Sequence, residues 1–144
     1  MYTKTSDTYE LASKTMTFAG GTTDDPGDSA GANATSTLFT VTGTVAMKLF
    51  AVVTTTCTGA SSTIEVGTAI NTTGLIVLTT ATLMVAGEIW HDATPDASIE
   101  LSSIATEKIV NQNVIQTVRT ADVTAGVLRY TCLWRPLSPN ATVA

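Results

Sequence analysis

Charged residues and helix-favouring residues are both scarce in this chain. Only 13% of its 144 residues are Asp, Glu, Lys or Arg, roughly half of the share of about 25% that is usual in globular proteins. Glutamate, lysine, glutamine and leucine, which favour helices, are few. Thirty residues are threonine, whose branched side chain favours strands. The composition therefore predicts an all-β protein with lightly charged surfaces, many of which face a partner.

The sequence also lacks the usual features of nucleic-acid-binding and membrane proteins. Its seven basic residues are scattered singly and its net charge is −5, so no basic patch favours nucleic acid or a membrane surface. No apolar run reaches the ~18 residues of a transmembrane helix. Residues 1–18 contain no apolar segment of the kind found in signal peptides. We therefore expect synthesis in a cytoplasm, with no nucleic-acid and no membrane partner.

Residues and motifs for catalysis, zinc binding or cofactor binding are almost absent. There is a single histidine, and no G-x-S-x-G, G-x-G-x-x-G, P-loop or H-E-x-x-H motif. The two cysteines, Cys57 and Cys132, form no C-x-x-C or Cys/His cluster. We interpret them as buried thiols, with a disulfide as the alternative. The sequence predicts no enzyme, no cofactor and no metal.

Alternation of apolar and polar residues is strongest between residues 39 and 53. Every odd position there is apolar or glycine, from Phe39 to Val53, which is the period of a strand. Because this stretch is long for one strand, we expect Gly43 to mark a bulge or bend that keeps the same face buried. Further strands are predicted at 15–19, 63–70, 74–82, 87–92, 97–103, 107–120 and 126–134. About eight to ten short strands favour a β-sandwich or jelly-roll, with a barrel as the alternative.

The first 35 residues differ in composition from the rest of the chain. We interpret 1–35 as a flexible N-terminal arm followed by a Gly/Asp-rich loop, and 36–144 as a single β domain. The loop contains Asp24, Asp25 and Asp28, but the spacing of a calcium loop is missing, so a solvated loop is expected.

The last predicted strand has two chemically different faces. Arg129, Thr131 and Arg135 share one face, which we expect to meet solvent or an interface. The other face is predicted to lie in the core, and it consists of Leu128, Tyr130, Cys132 and Trp134.

Residues 87–100, GEIWHDATPDASIE, combine the only histidine with four carboxylates. Pro95 argues against a helix, so we predict a turn that scatters the carboxylates and sends Trp90 and His91 to opposite faces. Contact with a partner is a second interpretation, and a metal site of His91, Asp92 and Asp96 is a third, without diagnostic spacing. The candidate interface residues of the whole chain are Trp90, His91, Asp92, Arg129 and Arg135.

Four segments, 37–56, 62–76, 79–96 and 124–138, together resemble small Thr-rich virion proteins of tailed bacteriophages. Such proteins are often capsid decoration (cement) proteins, which bind the outside of the head lattice, commonly as trimers, and stabilise it. The resemblance implies a structural protein on the capsid surface, with the major capsid protein and its own copies as partners. It assigns no functional residues.

Other functions remain open at this stage. A tail or head-fibre component is one alternative within the virion. A carbohydrate- or surface-binding β-sandwich module is another, although only eight aromatic residues are present and Phe39, Tyr130 and Trp134 lie on faces predicted to be core. An enzyme that uses His91 with Asp92 or Asp96 is the remaining alternative.

Overall fold

The computed structural model describes residues 8–20, 25–100 and 106–144. The prediction of an all-β protein is confirmed, since 58% of the structure is strand. The described residues form twelve strands, more than the expected eight to ten, because five of them have only two or three residues. The strands are β1 (Glu10–Phe18), β2 (Thr35–Phe39), β3 (Val41–Thr42), β4 (Val45–Thr58), β5 (Thr63–Thr68), β6 (Asn71–Thr80), β7 (Glu88–Trp90), β8 (Asp96–Ala97), β9 (Lys108–Val110), β10 (Val114–Arg119), β11 (Ala125–Pro136) and β12 (Thr142–Val143), with short 3₁₀ turns at Gly31–Ala34 and Ala81–Leu83.

The strands form three antiparallel sheets. A six-stranded sheet has the order β1-β11-β4-β7-β8, with β9 also paired to β4. A four-stranded sheet has the order β2-β10-β5-β6, and β12 pairs with β3. Apolar side chains from both larger sheets belong to one buried cluster, so the two sheets share a core. The finer assignment, a β-sandwich or jelly-roll, stays a prediction at this level.

The alternating stretch from Phe39 to Val53 keeps one face buried, as predicted, but it passes through all three sheets. Phe39, Val41, Val45 and Val53 are all buried. The chain turns at Gly43, which has φ +70° and leaves no room for a Cβ beside the Ser138 hydroxyl. Glycine therefore allows the chain to change sheet here without changing which face is buried.

The N-terminal arm is shorter than the sequence indicated. Residues 10–18 form β1, which pairs with β11 along its whole length, and Met16 and Phe18 are buried in the shared core. Met16 and Phe18 lie in the strand predicted at 15–19, and burying them favours its pairing; the correction is that the strand begins at Glu10. Residues 1–7 and 21–24 lie outside the described residues.

Asp25 is buried, which corrects the prediction of a solvated loop at this position. Its carboxylate accepts hydrogen bonds from the main-chain N–H groups of Ala19 (2.6 Å), Gly20 (2.9 Å) and Gly27 (2.9 Å). Three backbone donors replace the water that the charge would otherwise need. Asp28 is partly exposed and Asp24 lies outside the described residues.

Other strand boundaries also differ from the sequence prediction. The strand that contains the end of the alternating stretch at Val53 continues as far as Thr58. The predicted strand 107–120 is two strands, β9 in the six-stranded sheet and β10 in the four-stranded sheet. The predicted strand 97–103 is represented by β8 alone, since residues 101–105 lie outside the described residues.

The core face of β11 is confirmed, because Leu128, Tyr130, Cys132 and Trp134 are all buried. Both cysteines are free and buried, as predicted. Burial raises the pKa of each thiol to about 12, so neither is a reactive thiolate near neutral pH.

Two buried hydrogen bonds connect the larger sheets through the core. The Trp90 Nε1 group on β7 donates to the Thr79 hydroxyl on β6 at 2.9 Å. The Tyr130 hydroxyl on β11 donates to Gln116 Oε1 on β10 at 2.8 Å. The Trp90 and Tyr130 rings are themselves neighbours, with centroids 6.2 Å apart. These bonds satisfy polar groups that would be costly to bury alone.

Candidate functional site

A hairpin at the end of β7 gathers the residues around the single histidine. β7 pairs with β4 on one side and with β8 on the other, where Ile89 lies opposite Asp96. The connecting turn is closed by the Asp92 carboxylate, which accepts a hydrogen bond from the Thr94 N–H at 2.8 Å. The turn predicted from Pro95 and its neighbouring aspartates is therefore present.

The prediction that this turn scatters the carboxylates is wrong. Pairing of β8 with β7 returns Asp96 towards His91. Just after β8, Ser98 adopts φ +57° and the Ile99 N–H donates to the Ala97 carbonyl. This second turn brings Glu100 back to the same histidine. The strand pairing is not visible in the sequence spacing, which is why the sequence did not predict this grouping.

We call His91, Asp92, Asp96 and Glu100 the His91 cluster. The imidazole Nε2 atom lies 3.4 Å from Asp96 Oδ2 and 3.4 Å from Glu100 Oε2. The Nδ1 atom lies 3.8 Å from Asp92 Oδ2. Only 6% of the His91 side chain is exposed, against 41% for Asp96 and 54% for Asp92. The histidine thus lies beneath the three acidic side chains.

The His91 Nε2 atom is buried and has no hydrogen-bond partner. The two carboxylate oxygens closest to it are outside the geometry of a hydrogen bond, although an unsatisfied buried nitrogen is costly. Among the described residues, no hydroxyl or thiol is hydrogen-bonded to this nitrogen.

Negative charge is concentrated in this cluster. A hydrogen bond with the Glu100 carboxyl, together with burial and the charges of Glu100 and Asp92, raises the pKa of Asp96, and His91 opposes this effect. Carboxyl groups that lie this close together each disfavour the ionisation of the other. Among the described residues, His91, Asp92 and Asp96 are the group that could hold a metal ion, with one ligand atom of each within 4.8 Å of the others.

A small groove of about 220 Å³, which we call the Lys108 groove, adjoins the cluster. The Lys108 ammonium donates to the main-chain carbonyls of Gly74 (2.8 Å) and Leu75 (3.0 Å). Desolvation lowers the pKa of this lysine. Its hydrogen bonds are directed to the backbone rather than to the carboxylates of the cluster. The lining residues are Leu49, Leu75, Val77, His91, Asp92, Thr106 and Lys108.

A second groove of about 240 Å³, the Ile109 groove, lies on the other side of Lys108. Its lining includes Ile70 and Ile109, which are 84% and 74% exposed. Ile70 and Ile109 line the same groove, and exposed apolar side chains that lie together, rather than singly, are typical of interaction surfaces.

The outer face of β11 carries the two arginines that the sequence singled out. Arg129 is exposed and lies in register with Thr15 on β1 and Val52 on β4. Arg135 pairs with Glu107, with Nη2 and Oε1 2.7 Å apart. The Tyr9 hydroxyl also donates to Glu107, and hydrogen bonds from Arg135 and Tyr9 lower the pKa of Glu107 to about 2.

The five candidate interface residues therefore lie in three environments. Trp90 is completely buried, so its side chain belongs to the core and offers no surface to a partner, which corrects the prediction for this residue. His91 and Asp92 belong to the cluster, while Arg129 and Arg135 lie on the outer face of β11. The sequence did not single out Glu107, which approaches Arg135 only through the pairing of β9 with β4.

Comparison of the chain with protein-family models, with curated protein sequences and with solved structures finds no match. Within the described ranges, no helical segment is long and apolar enough to cross a membrane.

Proposed function

We propose that this protein is a structural virion protein with a jelly-roll fold, which decorates the outside of a phage capsid and stabilises the lattice. The observation that carries the proposal is the pairing order of its eight main strands. Two further observations support it: several apolar side chains are exposed, and the described residues present no open aromatic surface suited to sugars. The protein is not an enzyme in this proposal, and it needs no cofactor for its structural role.

The eight main strands pair as nested partners. With β3, β8, β9 and β12 set aside, the first strand pairs with the last, the second with the seventh, the third with the sixth and the fourth with the fifth. A long hairpin that is rolled up gives this nesting, and it is the connectivity of a jelly roll, which recurs in viral capsid and lectin domains. The observed pairs are β1·β11, β2·β10, β4·β7 and β5·β6.

The exposed aromatic residues favour assembly over carbohydrate binding. Both tryptophans are buried. Tyr9, 37% exposed, is the aromatic member of the large exposed apolar residues in the described part of the chain. The Lys48 ammonium covers its ring at 5.4 Å from the centroid. A sugar platform needs open aromatic faces, which supports the virion proposal over a lectin-like module.

The outer face of the six-stranded sheet is the surface that we assign to the capsid. Arg129 lies there beside the uncharged side chains of Thr15 and Val52. Arg135 lies on the same face but is paired with Glu107, so Arg129 is the arginine there with uncharged neighbours, and arginine is enriched in protein interfaces.

Co-sedimentation with empty, expanded phage capsids tests this assignment. Wild-type protein is expected to sediment with the capsids at a stoichiometry that matches the lattice, and Arg129→Glu is expected to remain in the supernatant. Lys14→Glu is the matched control, because it reverses an equally basic, exposed residue on β1. Failure of wild-type protein to bind capsids would reject decoration, whereas equal binding by Arg129→Glu would reject the assigned surface.

Contact between copies is the second part of the proposal, and we assign it to the Ile109 groove. Light scattering is expected to give the mass of a trimer for wild-type protein and a smaller mass for Ile109→Lys. Ile99→Lys is the control, since Ile99 is 85% exposed and does not line that groove. A wild-type monomer would contradict the oligomer.

A tail or head-fibre component is the second candidate, because its fold and surfaces need not differ. Its position on the particle would distinguish it: labelled protein would bind tails or fibres rather than heads.

A further inference from the structure

The His91 cluster combines a buried imidazole nitrogen that has no hydrogen-bond partner with nearby carboxylate oxygens. Three carboxylates surround one imidazole, and the nearby Lys108 directs its ammonium to main-chain carbonyls. Only 6% of the His91 side chain is exposed, so 94% of it is buried. Its Nε2 atom lies near Asp96 and Glu100 and has no hydrogen-bond partner. An imidazole nitrogen with carboxylate oxygens close to it is a combination of ligand types that binds Zn²⁺ in proteins.

We propose that His91, Asp96 and Glu100 bind a divalent transition-metal ion of the Zn²⁺ class, with Asp92 at the open side of the site. This inference does not depend on the proposed capsid role. It concerns residues that the sequence offers without a diagnostic spacing and that the hairpin brings together.

The distances agree with this coordination. Zn²⁺ binds His nitrogen and carboxylate oxygen at about 2.0–2.2 Å, so two ligand atoms of a tetrahedral site lie roughly 3.3–3.6 Å apart. The separations of Nε2 from Asp96 Oδ2 and from Glu100 Oε2 are both 3.4 Å. Those separations are too long for good hydrogen bonds, but they fit two edges of such a tetrahedron.

Asp92 completes the set of ligands. One ligand atom from each of His91, Asp92 and Asp96 lies within 4.8 Å of the other two. More than half of the Asp92 side chain is exposed, so rotation of its carboxyl can bring an oxygen closer. Its other oxygen holds the turn through the Thr94 N–H.

The ligand types select the metal. Calcium and magnesium prefer sites made of oxygen alone, whereas imidazole favours zinc and its transition-metal neighbours. The bound ion would link the end of β7 to the segment that follows β8. It would therefore fix the hairpin, and its effect would be on stability rather than on catalysis.

Calorimetric titration of the purified chain with Zn²⁺, after removal of any histidine tag, tests the site. We expect one Zn²⁺ per chain. Glu100→Gln and Asp96→Asn should each weaken binding at least about tenfold, and His91→Ala should weaken it more. Glu10→Gln, which removes a carboxylate from exposed β1, should leave the affinity unchanged.

Two further readouts keep the test independent of folding defects. Zn²⁺ at about 100 times its Kd should raise the Tm of wild-type protein by roughly 5–10 °C, and that of Glu100→Gln by much less. Co²⁺ should give the visible absorption of a tetrahedral ion. The proposal is overturned if wild-type protein binds no Zn²⁺, or if folded Glu100→Gln and Asp96→Asn bind it as tightly as wild type.

Discussion

Two polar regions lie side by side at the end of β7, the interior around Trp90 and the sheet edge around His91. In the interior, the Trp90 indole donates to the Thr79 hydroxyl, which donates onward to the Val77 carbonyl at 2.9 Å. At the edge, His91 Nε2 has no partner and is surrounded by carboxylates. Trp90 Nε1 and His91 Nε2 belong to neighbouring residues. Only the Trp90 nitrogen has a hydrogen-bond partner in the structure.

Position at an edge does not by itself explain this difference. Glu107 also lies outside the core, and it is matched by Arg135 and by the Tyr9 hydroxyl. Glu107 thus has a cationic and a polar partner, whereas the buried His91 Nε2 atom has no hydrogen-bond partner. A buried nitrogen without a partner costs free energy, and the cation proposed at the His91 cluster would remove that cost.

The largest expected effect comes from the interior. Trp90→Ala should lower the free energy of unfolding by roughly 3–5 kcal/mol, because it removes a completely buried indole and the partner of Thr79. Denaturant unfolding measures this. In the presence of a chelator, His91→Ala should cost clearly less, and equal losses would remove the contrast between the two residues.

The Tyr130–Gln116 bond gives the next largest effect. Tyr130→Phe leaves Gln116 Oε1 buried without its donor, which should cost about 1–3 kcal/mol of unfolding free energy. The double variant Tyr130→Phe/Gln116→Leu should recover part of that loss, since neither partner is then left unsatisfied. No recovery in the denaturation midpoint would show that the bond is not the source of the loss.

Glu100→Gln should have a small effect whose sign depends on metal. In a chelator the variant should unfold at a slightly higher temperature than wild type, because one of the crowded negative charges is gone. With Zn²⁺ present it should unfold at a lower temperature. The unfolding temperature of Glu10→Gln should equal that of wild type in both buffers. A change of the same sign in both buffers for Glu100→Gln would contradict repulsion between the carboxylates of the cluster.

The smallest effect is expected at Glu107 and depends on pH. Arg135 and Tyr9 hold the pKa of this carboxyl at about 2, below its ordinary value of 4.5. The pKa is lowered in the folded protein, so the stabilisation is present above about pH 4.5 and is lost as the pH falls towards 2. Glu107→Gln should therefore unfold with a flatter pH dependence between those values, and an unchanged profile would contradict the pairing.

Local pattern predicted the strands but not their partners. The threonine content and the alternation between Phe39 and Val53 indicated β structure, and the alternation in β11 identified its buried face correctly. The strand at 15–19 was predicted, but its extension back to Glu10 was missed because no side chain of residues 10–15 is fully buried. Short-range periodicity cannot show which strands pair, since pairing is decided by contacts between residues that are distant in sequence.

The candidate site shows the same limit more sharply. The sequence offered His91 with nearby carboxylates, and it correctly indicated a turn at Pro95. It did not indicate that β8 folds back on β7, or that a left-handed residue at Ser98 redirects Glu100. The strand pairing and the turn at Ser98 bring together four side chains from a segment of ten residues. Rules based on sequence spacing recognise only metal sites that have a recurrent motif.

Anomalous diffraction from crystals soaked in Zn²⁺ tests most directly whether His91 Nε2, unlike the hydrogen-bonded Trp90 nitrogen, is a metal ligand. We expect one strong peak at the zinc absorption edge, about 2.0–2.2 Å from His91 Nε2 and from the carboxylates of Asp96 and Glu100. No peak at this position under saturating Zn²⁺, or a peak only at other residues, would contradict the assignment. The His91 nitrogen without a partner would then only destabilise the hairpin and would not be part of a binding site.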